Sequence, residues 1–288
     1  MKSYIDKVKL KLKETVGGIK PLKDFYLKHI KGFDGFIRIY LTLECNLKCE
    51  YCTNECHKNN GEDRRSQYAG VDFEKWAQAL KRLKLPVVIT GGEPSLYPSV
   101  IELLNALCGA KIPIKFYTNL VWSKEFTDLW LNEMKNPDVE LFVSYHAKSL
   151  KPQKFAQKIL LLKSNNKFNG IVHTVLTKEN GGAVREAVKV FNEAGISLMI
   201  DDNYDYLYGE SCSQKIRRRV ICRKKVIIIA PDGNRYQCIS KMVRRVHPLE
   251  NIFDEACAGF KPQVVSICGD YGFCANCDTA FAAKIKKL

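Results

Sequence analysis

The sequence has no long apolar run. No stretch of its 288 residues approaches the roughly 20 apolar residues that span a bilayer, so a membrane protein is not expected. The lysine-rich start, residues 1–18, has no apolar core followed by small residues, which predicts no secretory signal and a cytoplasmic location. The length allows either one barrel-type domain or one domain with a small appendage, and low-complexity tracts are absent.

Acidic residues are few relative to basic ones. The 31 Asp and Glu residues stand against 46 Lys and Arg, which gives a net charge of +15. Such an excess favours anionic partners, although charge that only keeps the protein in solution is the alternative. No basic run is interleaved with aromatic residues as in a nucleic-acid groove. Nucleic acid is therefore the less favoured partner, and a small polar or anionic substrate is expected.

Cysteine, in contrast, is abundant. The chain has 12 cysteines, and in a reducing compartment they are more often metal ligands or catalytic groups than disulfides. A disulfide framework also fits poorly because the chain is much longer than disulfide-stapled scaffolds. The cysteines form one tight group near the front and another near the end of the sequence.

Strand and helix patterns alternate from residue 36 to residue 201. Short apolar runs predict strands, and apolar residues at helical spacing predict helices between them. Such alternation is typical of βαβ units around a parallel sheet, whose chemistry lies at the carboxyl ends of the strands. The strands are expected at 36–43, 86–90, 113–118, 139–145, 170–176 and 196–201, and the helices at 71–83, 99–108, 124–134, 152–163 and 182–195.

The alternation ends after about residue 205. Residues 225–238 then predict a hairpin, in which a Pro-Asp-Gly turn follows an apolar run. The predicted organisation is a basic N-terminal extension at 1–34, a barrel at 35–210 and a small cysteine-rich module at 211–288.

Three cysteines stand in one short loop after the first predicted strand, residues 45–52, here called the cysteine loop. Cys45, Cys49 and Cys52 have the spacing Cys-x3-Cys-x2-Cys. Three thiolates can hold a cubane iron–sulfur cluster and leave one iron without a protein ligand. A substrate-binding cluster needs such an open iron, just as a catalytic metal site keeps an open position. A zinc site, or a cluster closed by Cys56, is the alternative.

This motif, with Tyr51 as the aromatic residue before the last cysteine, resembles the signature of the radical S-adenosylmethionine (SAM) superfamily. The resemblance implies that a [4Fe–4S] cluster binds SAM through its open iron. One electron, from a donor such as flavodoxin or ferredoxin, then splits SAM into methionine and a 5′-deoxyadenosyl radical that abstracts a substrate hydrogen. The implied fold is α/β: a partial (βα)6 TIM-like barrel with a C-terminal β-hairpin/helix module for an auxiliary cluster.

A second motif, residues 91–94, follows the second predicted strand and is here called the glycine turn. Gly91-Gly92-Glu93-Pro94 resembles the superfamily's turn that binds the methionine amino group of SAM. Glycines let the backbone approach a ligand, and Glu93 can accept a hydrogen bond from an ammonium. If the motif stood alone, an ordinary Gly-Glu-Pro turn without a role in SAM binding would be the alternative.

The resemblance implies SAM contacts at later strand ends as well. Two positions depart from the family pattern, because Leu120 replaces a glycine and Tyr145-His146 replaces Leu-Asp. For Thr177 and Asn180, an ordinary helix-entry loop is the alternative to a contact with SAM. The implied SAM-contacting residues are Asn119, Ser144, Thr177 and Asn180.

The later cysteines resemble the auxiliary-cluster modules called Twitch and SPASM. The resemblance implies that Cys222, Cys238, Cys274 and Cys277 hold a second, fully ligated [4Fe–4S] cluster. A structural zinc site is the alternative, because four thiolates suit zinc equally well. Cys268 either replaces one of the four ligands or stays a free thiol.

The predicted activity is therefore that of a radical SAM enzyme, of oxidoreductase or lyase type, acting on a small polar or anionic molecule. The sixth strand ends in Asp201-Asp202, which are expected to bind the substrate, with a solvated turn as the alternative. Modification of RNA or of a peptide is the second hypothesis. A non-catalytic iron–sulfur protein is the third, and the intact glycine turn argues against it.

Overall fold

The computed structural model describes residues 35–49, 51–52, 70–135, 138–147, 149–177, 179–201, 218–255, 264–271 and 283–287. The predicted basic extension at 1–34 lies outside the described residues.

The six strands and five helices predicted between residues 36 and 201 are all present. Their ends differ from the predicted ones by at most a few residues. The strands are β1 Phe36–Tyr40, β2 Val87–Thr90, β3 Ile114–Thr118, β4 Glu140–Ser144, β5 Gly170–Val175 and β6 Leu198–Asp201. The helices are α1 Phe73–Leu83, α2 Val100–Gly109, α3 Lys124–Glu133, α4 Pro152–Ser164 and α5 Gly181–Glu193.

Strands β1 to β6 lie side by side in chain order, and each pairs in parallel with the next. One helix joins each consecutive pair, as βαβ units require. The α/β class and the mostly parallel sheet are therefore confirmed. In a parallel sheet the carboxyl ends of all strands meet at one edge, so the loops after β1 to β6 are brought together.

The two faces of the sheet have different characters. Alternate strand residues, such as Ile39, Ile89 and Phe116, pack in one core cluster with helix residues that include Trp76 and Leu104. Successive side chains of a strand point to opposite faces, so the intervening residues belong to the other, inner face. That inner face carries several polar side chains: Arg38, Lys115, Glu140, Ser144 and His173.

The predicted hairpin at 225–238 forms, and it extends the main sheet. Strand β8 (Val226–Ile229) follows β7 (Arg218–Lys224) and pairs in parallel with β1, and β9 (Arg235–Tyr236) pairs antiparallel with β8. All four residues of β8 are buried, as expected for a strand covered on both faces. Gly233 closes the turn with φ at +82°.

A second, three-stranded sheet has the order β10–β7–β11, with β10 at Val264–Tyr271 and β11 at Ala283–Lys287. A short helix, α6 (Ile239–Arg244), follows Cys238. Among the residues that the structure describes, no helix has the length and apolar content needed to cross a bilayer.

Candidate active site at the ends of the parallel strands

The cysteine loop begins a few residues after β1, at the carboxyl edge of the sheet. Within it, the Leu47 N–H lies 3.4 Å from the Cys45 Sγ. The Cys52 N–H donates to the Cys49 carbonyl at 3.1 Å. These local contacts link Cys45 to Leu47 and Cys49 to Cys52.

The three thiols influence one another. Burial, and then the nearby Cys52 and Cys45, raise the pKa of Cys49 to about 12. In the described part of the chain, no three His, Cys, Asp or Glu side chains are close enough together to hold a single metal ion. Three neighbouring thiolates, each on a separate iron, can hold a cubane cluster and leave its fourth iron without a protein ligand. The residues present therefore fit a [4Fe–4S] group.

The glycine turn lies directly against the segment that leads into the cysteine loop. The Gly92 N–H donates to the Thr42 carbonyl at 2.9 Å, and the Glu93 N–H donates to the Glu44 carbonyl at 2.7 Å. A Cβ atom at Gly91 would lie 2.2 Å from the Thr42 oxygen, and one at Gly92 would lie 1.9 Å from the Glu44 oxygen. Only glycine permits this approach, and Gly91 also has φ at +149°.

The Glu93 carboxylate is almost completely buried, with 1% of the residue exposed. One oxygen accepts from the Ser95 N–H at 3.2 Å and from the Thr118 hydroxyl at 2.8 Å. The other accepts from the Asn119 N–H at 2.7 Å. Burial raises the pKa of Glu93, and these hydrogen bonds oppose that rise. The carboxylate thus ties the end of β2 to the end of β3.

We expect Glu93→Gln to destabilise the fold. Glutamine has the same shape, but its amide nitrogen is a donor and must face one of the three donors that now meet the carboxylate. The expected loss is about 1.5–3 kcal/mol in the free energy of unfolding, measured by urea denaturation. Glu193→Gln, on the exposed end of α5, is the matched control. An equal stability of both variants would contradict a structural role for the Glu93 carboxylate.

The end of β3 also holds the cysteine loop. Asn119 donates from Nδ2 to the Asn46 Oδ1 at 2.7 Å, and Asn46 donates from Nδ2 to the Val121 carbonyl at 2.7 Å. Leu120, which stands where the family pattern has glycine, has φ at +58° and is fully buried. The left-handed backbone costs roughly 1–2 kcal/mol for a non-glycine residue. Burial of its side chain offsets that cost, which explains how leucine replaces glycine here.

Two histidines lie beside these elements, and motif reasoning did not assign either to the site. His146 follows β4, and its Nδ1 lies 3.2 Å from the Cys49 Sγ and 2.9 Å from the Tyr51 hydroxyl oxygen. The Nε2 of His173, on β5, lies 2.6 Å from the Ser144 hydroxyl oxygen. Burial lowers the pKa of His146 to about 4, and burial together with nearby His146 lowers the pKa of His173 to about 3. Both rings are neutral at pH 7.

Residues 39–213 match the sequence pattern of the Radical SAM superfamily. That segment is more than half of the chain, and it contains the cysteine loop and the glycine turn. The chain belongs to the radical SAM superfamily. Membership implies a [4Fe–4S] cluster, SAM and a source of electrons, in agreement with the fit of the three cysteines.

Curated relatives match a shorter segment of this radical SAM protein. A probable GTP 3′,8-cyclase of Pyrococcus horikoshii is 31% identical over 84 residues, which are 29% of this chain and 26% of the relative. Its counterpart in Pyrococcus abyssi is 30% identical over the same length. The matched segment thus spans about a quarter of these relatives.

Solved structures of radical SAM enzymes share the fold. SuiB of Streptococcus suis, bound to its precursor peptide SuiA, superposes with a TM-score of 0.55 at 16% identity, covering 82% of this chain and 66% of SuiB. The enzyme anSMEcpe with bound AdoMet gives a TM-score of 0.51 at 16% identity, covering 77% of this chain and 75% of anSMEcpe. At such identities the likeness establishes the fold.

The remaining predicted SAM contacts of this radical SAM protein lie in the loop after β5. The Asn180 Oδ1 accepts from the Thr177 N–H at 2.8 Å, and the Asn180 Nδ2 donates to the Val175 carbonyl at 2.8 Å. Both side chains are buried. Asn180 therefore shapes the entry to α5, and the predicted contact of Thr177 and Asn180 with SAM stays a prediction.

The other predicted site residues are described only in part. Asp201 ends β6 and is paired with Val175 of β5, whereas Asp202, Cys274 and Cys277 lie outside the described residues. Cys222 is buried in β7, opposite Ser266 of β10. Gln237, the neighbour of Cys238, contacts the Ser266 hydroxyl through its side-chain nitrogen. The residue before Cys238 therefore contacts the β10 residue that lies opposite Cys222.

Proposed function

We propose that this chain cleaves SAM reductively at a [4Fe–4S] cluster held by Cys45, Cys49 and Cys52, and that it uses the resulting radical to abstract hydrogen from a small polar or anionic substrate. The proposal depends on one observation above all. The glycine turn is hydrogen-bonded to Thr42 and Glu44, in the segment that leads directly into the cysteine loop at the carboxyl edge of the sheet. A cluster and the amino acid part of SAM would therefore be neighbours there.

Each part of the chain has a physical task in this scheme. When bound, the cluster supplies the electron that splits SAM into methionine and a 5′-deoxyadenosyl radical. The glycines let the turn pack closely against the backbone that leads into the cysteine loop, and Asn119 fixes the cysteine loop through Asn46. Ser144, at the end of β4, and Tyr51, within the cysteine loop, are proposed SAM contacts.

A polar substrate agrees with the inner face of the sheet. Ser144 ends β4 on that face, and its hydroxyl oxygen lies 2.6 Å from the Nε2 of the buried His173 on β5. The curated relatives that match part of this chain are named for GTP. GTP is a phosphorylated small molecule, so these names support an anionic substrate. Peptide modification is the second candidate, because the structural neighbour SuiB binds a precursor peptide.

We also propose an auxiliary [4Fe–4S] cluster held by Cys222, Cys238, Cys274 and Cys277. Its support is the cysteine spacing and the contact of Gln237, next to Cys238, with Ser266, which lies opposite Cys222. Such a cluster would accept an electron from the substrate radical or bind the substrate directly.

The function is tested by an anaerobic reaction of reconstituted protein with SAM and dithionite. Mass spectrometry should detect methionine and 5′-deoxyadenosine, and new products should appear when fractionated small-molecule extracts are added. Absence of 5′-deoxyadenosine from protein with a full cluster would contradict the proposal. Products only with added peptides would favour the second candidate.

We expect Asp201→Asn and Asp202→Asn to uncouple the reaction. Strand ends face the substrate in barrels of this kind, so loss of a carboxylate there should impair substrate binding and leave SAM cleavage intact. The measurement is product formed per 5′-deoxyadenosine, which should fall several-fold. Asp128→Asn on the exposed side of α3 is the control. Wild-type ratios and KM in both variants would remove this loop from the substrate site.

A further inference from the structure

His146 stands where the superfamily pattern has an acidic residue, and its ring lies beside Cys49, one of the proposed cluster ligands. Its Nδ1 lies 3.2 Å from the Cys49 Sγ, within hydrogen-bonding reach of sulfur. An aspartate at this position would place a negative charge next to the thiolates and has no hydrogen to donate when ionised. A histidine brings a donor instead.

The position of the ring is fixed from several sides. It stacks on Tyr51 with a centroid distance of 5.8 Å and an interplanar angle of 15°. The preceding residue, Tyr145, is 1% exposed and contacts Phe155 and Phe191 edge to face. On the other side, the Ser149 N–H donates to the His146 carbonyl at 2.9 Å. The contact with Cys49 is therefore held by both the strand end and the cysteine loop.

The chemistry of the sulfur decides the direction of the hydrogen bond. A cysteine bound to iron is a thiolate, which can only accept. In a hydrogen bond between His146 and Cys49, the hydrogen must therefore be on Nδ1. The Tyr51 hydroxyl oxygen can accept as well as donate, so it can accept the same Nδ1 hydrogen in a bifurcated bond.

We infer that His146 donates a hydrogen bond from Nδ1 to the Cys49 sulfur and thereby raises the reduction potential of the bound cluster. The inference rests on the proposed cluster at Cys45, Cys49 and Cys52. Reduction adds negative charge to the cluster, so a donor to one of its sulfurs stabilises the reduced state more than the oxidised state. Hydrogen bonds to the sulfurs are among the main determinants of cluster potential. His146 is thus a positioning residue that acts through Cys49.

The test compares His146→Phe with His146→Asn. Phenylalanine keeps a ring that can stack on Tyr51 but has no donor, whereas the asparagine amide nitrogen is a donor near the position of Nδ1. The potential of the front cluster is measured without SAM by EPR-monitored redox titration. Each protein also carries alanine at Cys222 and Cys238, so that the proposed auxiliary cluster does not contribute. Iron and sulfide are quantified in every sample.

For His146→Phe we expect roughly a tenfold fall in the equilibrium constant for reduction, a shift of about 59 mV to more negative potential for one electron. His146→Asn should stay closer to the parent protein. Equal potentials in all three proteins with full clusters would overturn the inference and leave the proposed function standing. Failure of both variants to assemble a cluster would also overturn it, because His146 would then be required for assembly itself. Failure of the parent protein to assemble one would instead overturn the proposed function.

Discussion

Replacing Cys45, Cys49 and Cys52 together with alanine is expected to abolish SAM cleavage and to remove about half of the bound iron. Two cubane clusters bring about eight irons to the wild-type protein, and the variant keeps only the auxiliary cluster, with about four. The measurements are iron and sulfide content after anaerobic reconstitution and the yield of 5′-deoxyadenosine with dithionite. The loss of activity should reach the background of a protein-free reaction.

The matched control for this experiment is Cys108→Ala. Cys108 is a half-buried thiol in α2, on the helix side of the sheet, so its loss should change neither iron content nor SAM cleavage. Full SAM cleavage by the triple variant would contradict the proposed function. About four irons in the wild-type protein and almost none in the triple variant would contradict the auxiliary cluster alone.

The second large effect is expected from Gly92→Ala. The new Cβ would lie 1.9 Å from the Glu44 carbonyl oxygen, so either the glycine turn or the segment that enters the cysteine loop must move. Forcing atoms into a filled space typically costs 1–3 kcal/mol. Because the displaced backbone is that of the proposed SAM site, we expect SAM binding to fall to undetectable levels. Binding is measured by equilibrium dialysis on reconstituted protein, and stability by urea denaturation.

Gly182→Ala is the matched control for the glycine turn. Gly182 lies in the first turn of α5, and a Cβ there would meet nothing within 4 Å. Alanine is the better helix former by up to about 1 kcal/mol, so this variant should bind SAM normally and be no less stable than the wild type. Normal SAM binding by Gly92→Ala would mean that the close packing of this turn is not needed for the site.

The sequence predicts the strands and helices of the main sheet well because each one carries its own local pattern. The apolar run before the cysteine loop and the helical spacing around Trp76 are visible without any tertiary information. Strand β8 also appears in the sequence as an apolar run. Its partner does not, because the parallel pairing with β1 joins segments that no local pattern connects.

The sequence predicts the contiguous motifs of the candidate site but not the contacts between them. Cysteine spacing and the glycine turn are contiguous motifs, and they identify the superfamily. The contact between His146 and Cys49 joins the ends of β4 and β1, and the network around Glu93 joins those of β2 and β3. Such contacts depend on how the strands are arranged in the sheet, so single residues such as His146 carry no signal of their own. A polar residue in an otherwise apolar strand, such as Lys115 in β3, is the one signal that sequence inspection offers for the inner face.

The pairing of β1 with both β2 and β8 has a consequence for the order of events during synthesis. One edge of β1 is covered by β2 early, but the other edge waits for Val226–Ile229, which leave the ribosome only after the whole run of βα units. Until then β1 presents an unpaired strand edge, the kind of surface on which chains aggregate. The cysteine loop is the direct continuation of that strand. A chain that ends before β8 would therefore carry the thiols of the cysteine loop on a strand with one uncovered edge.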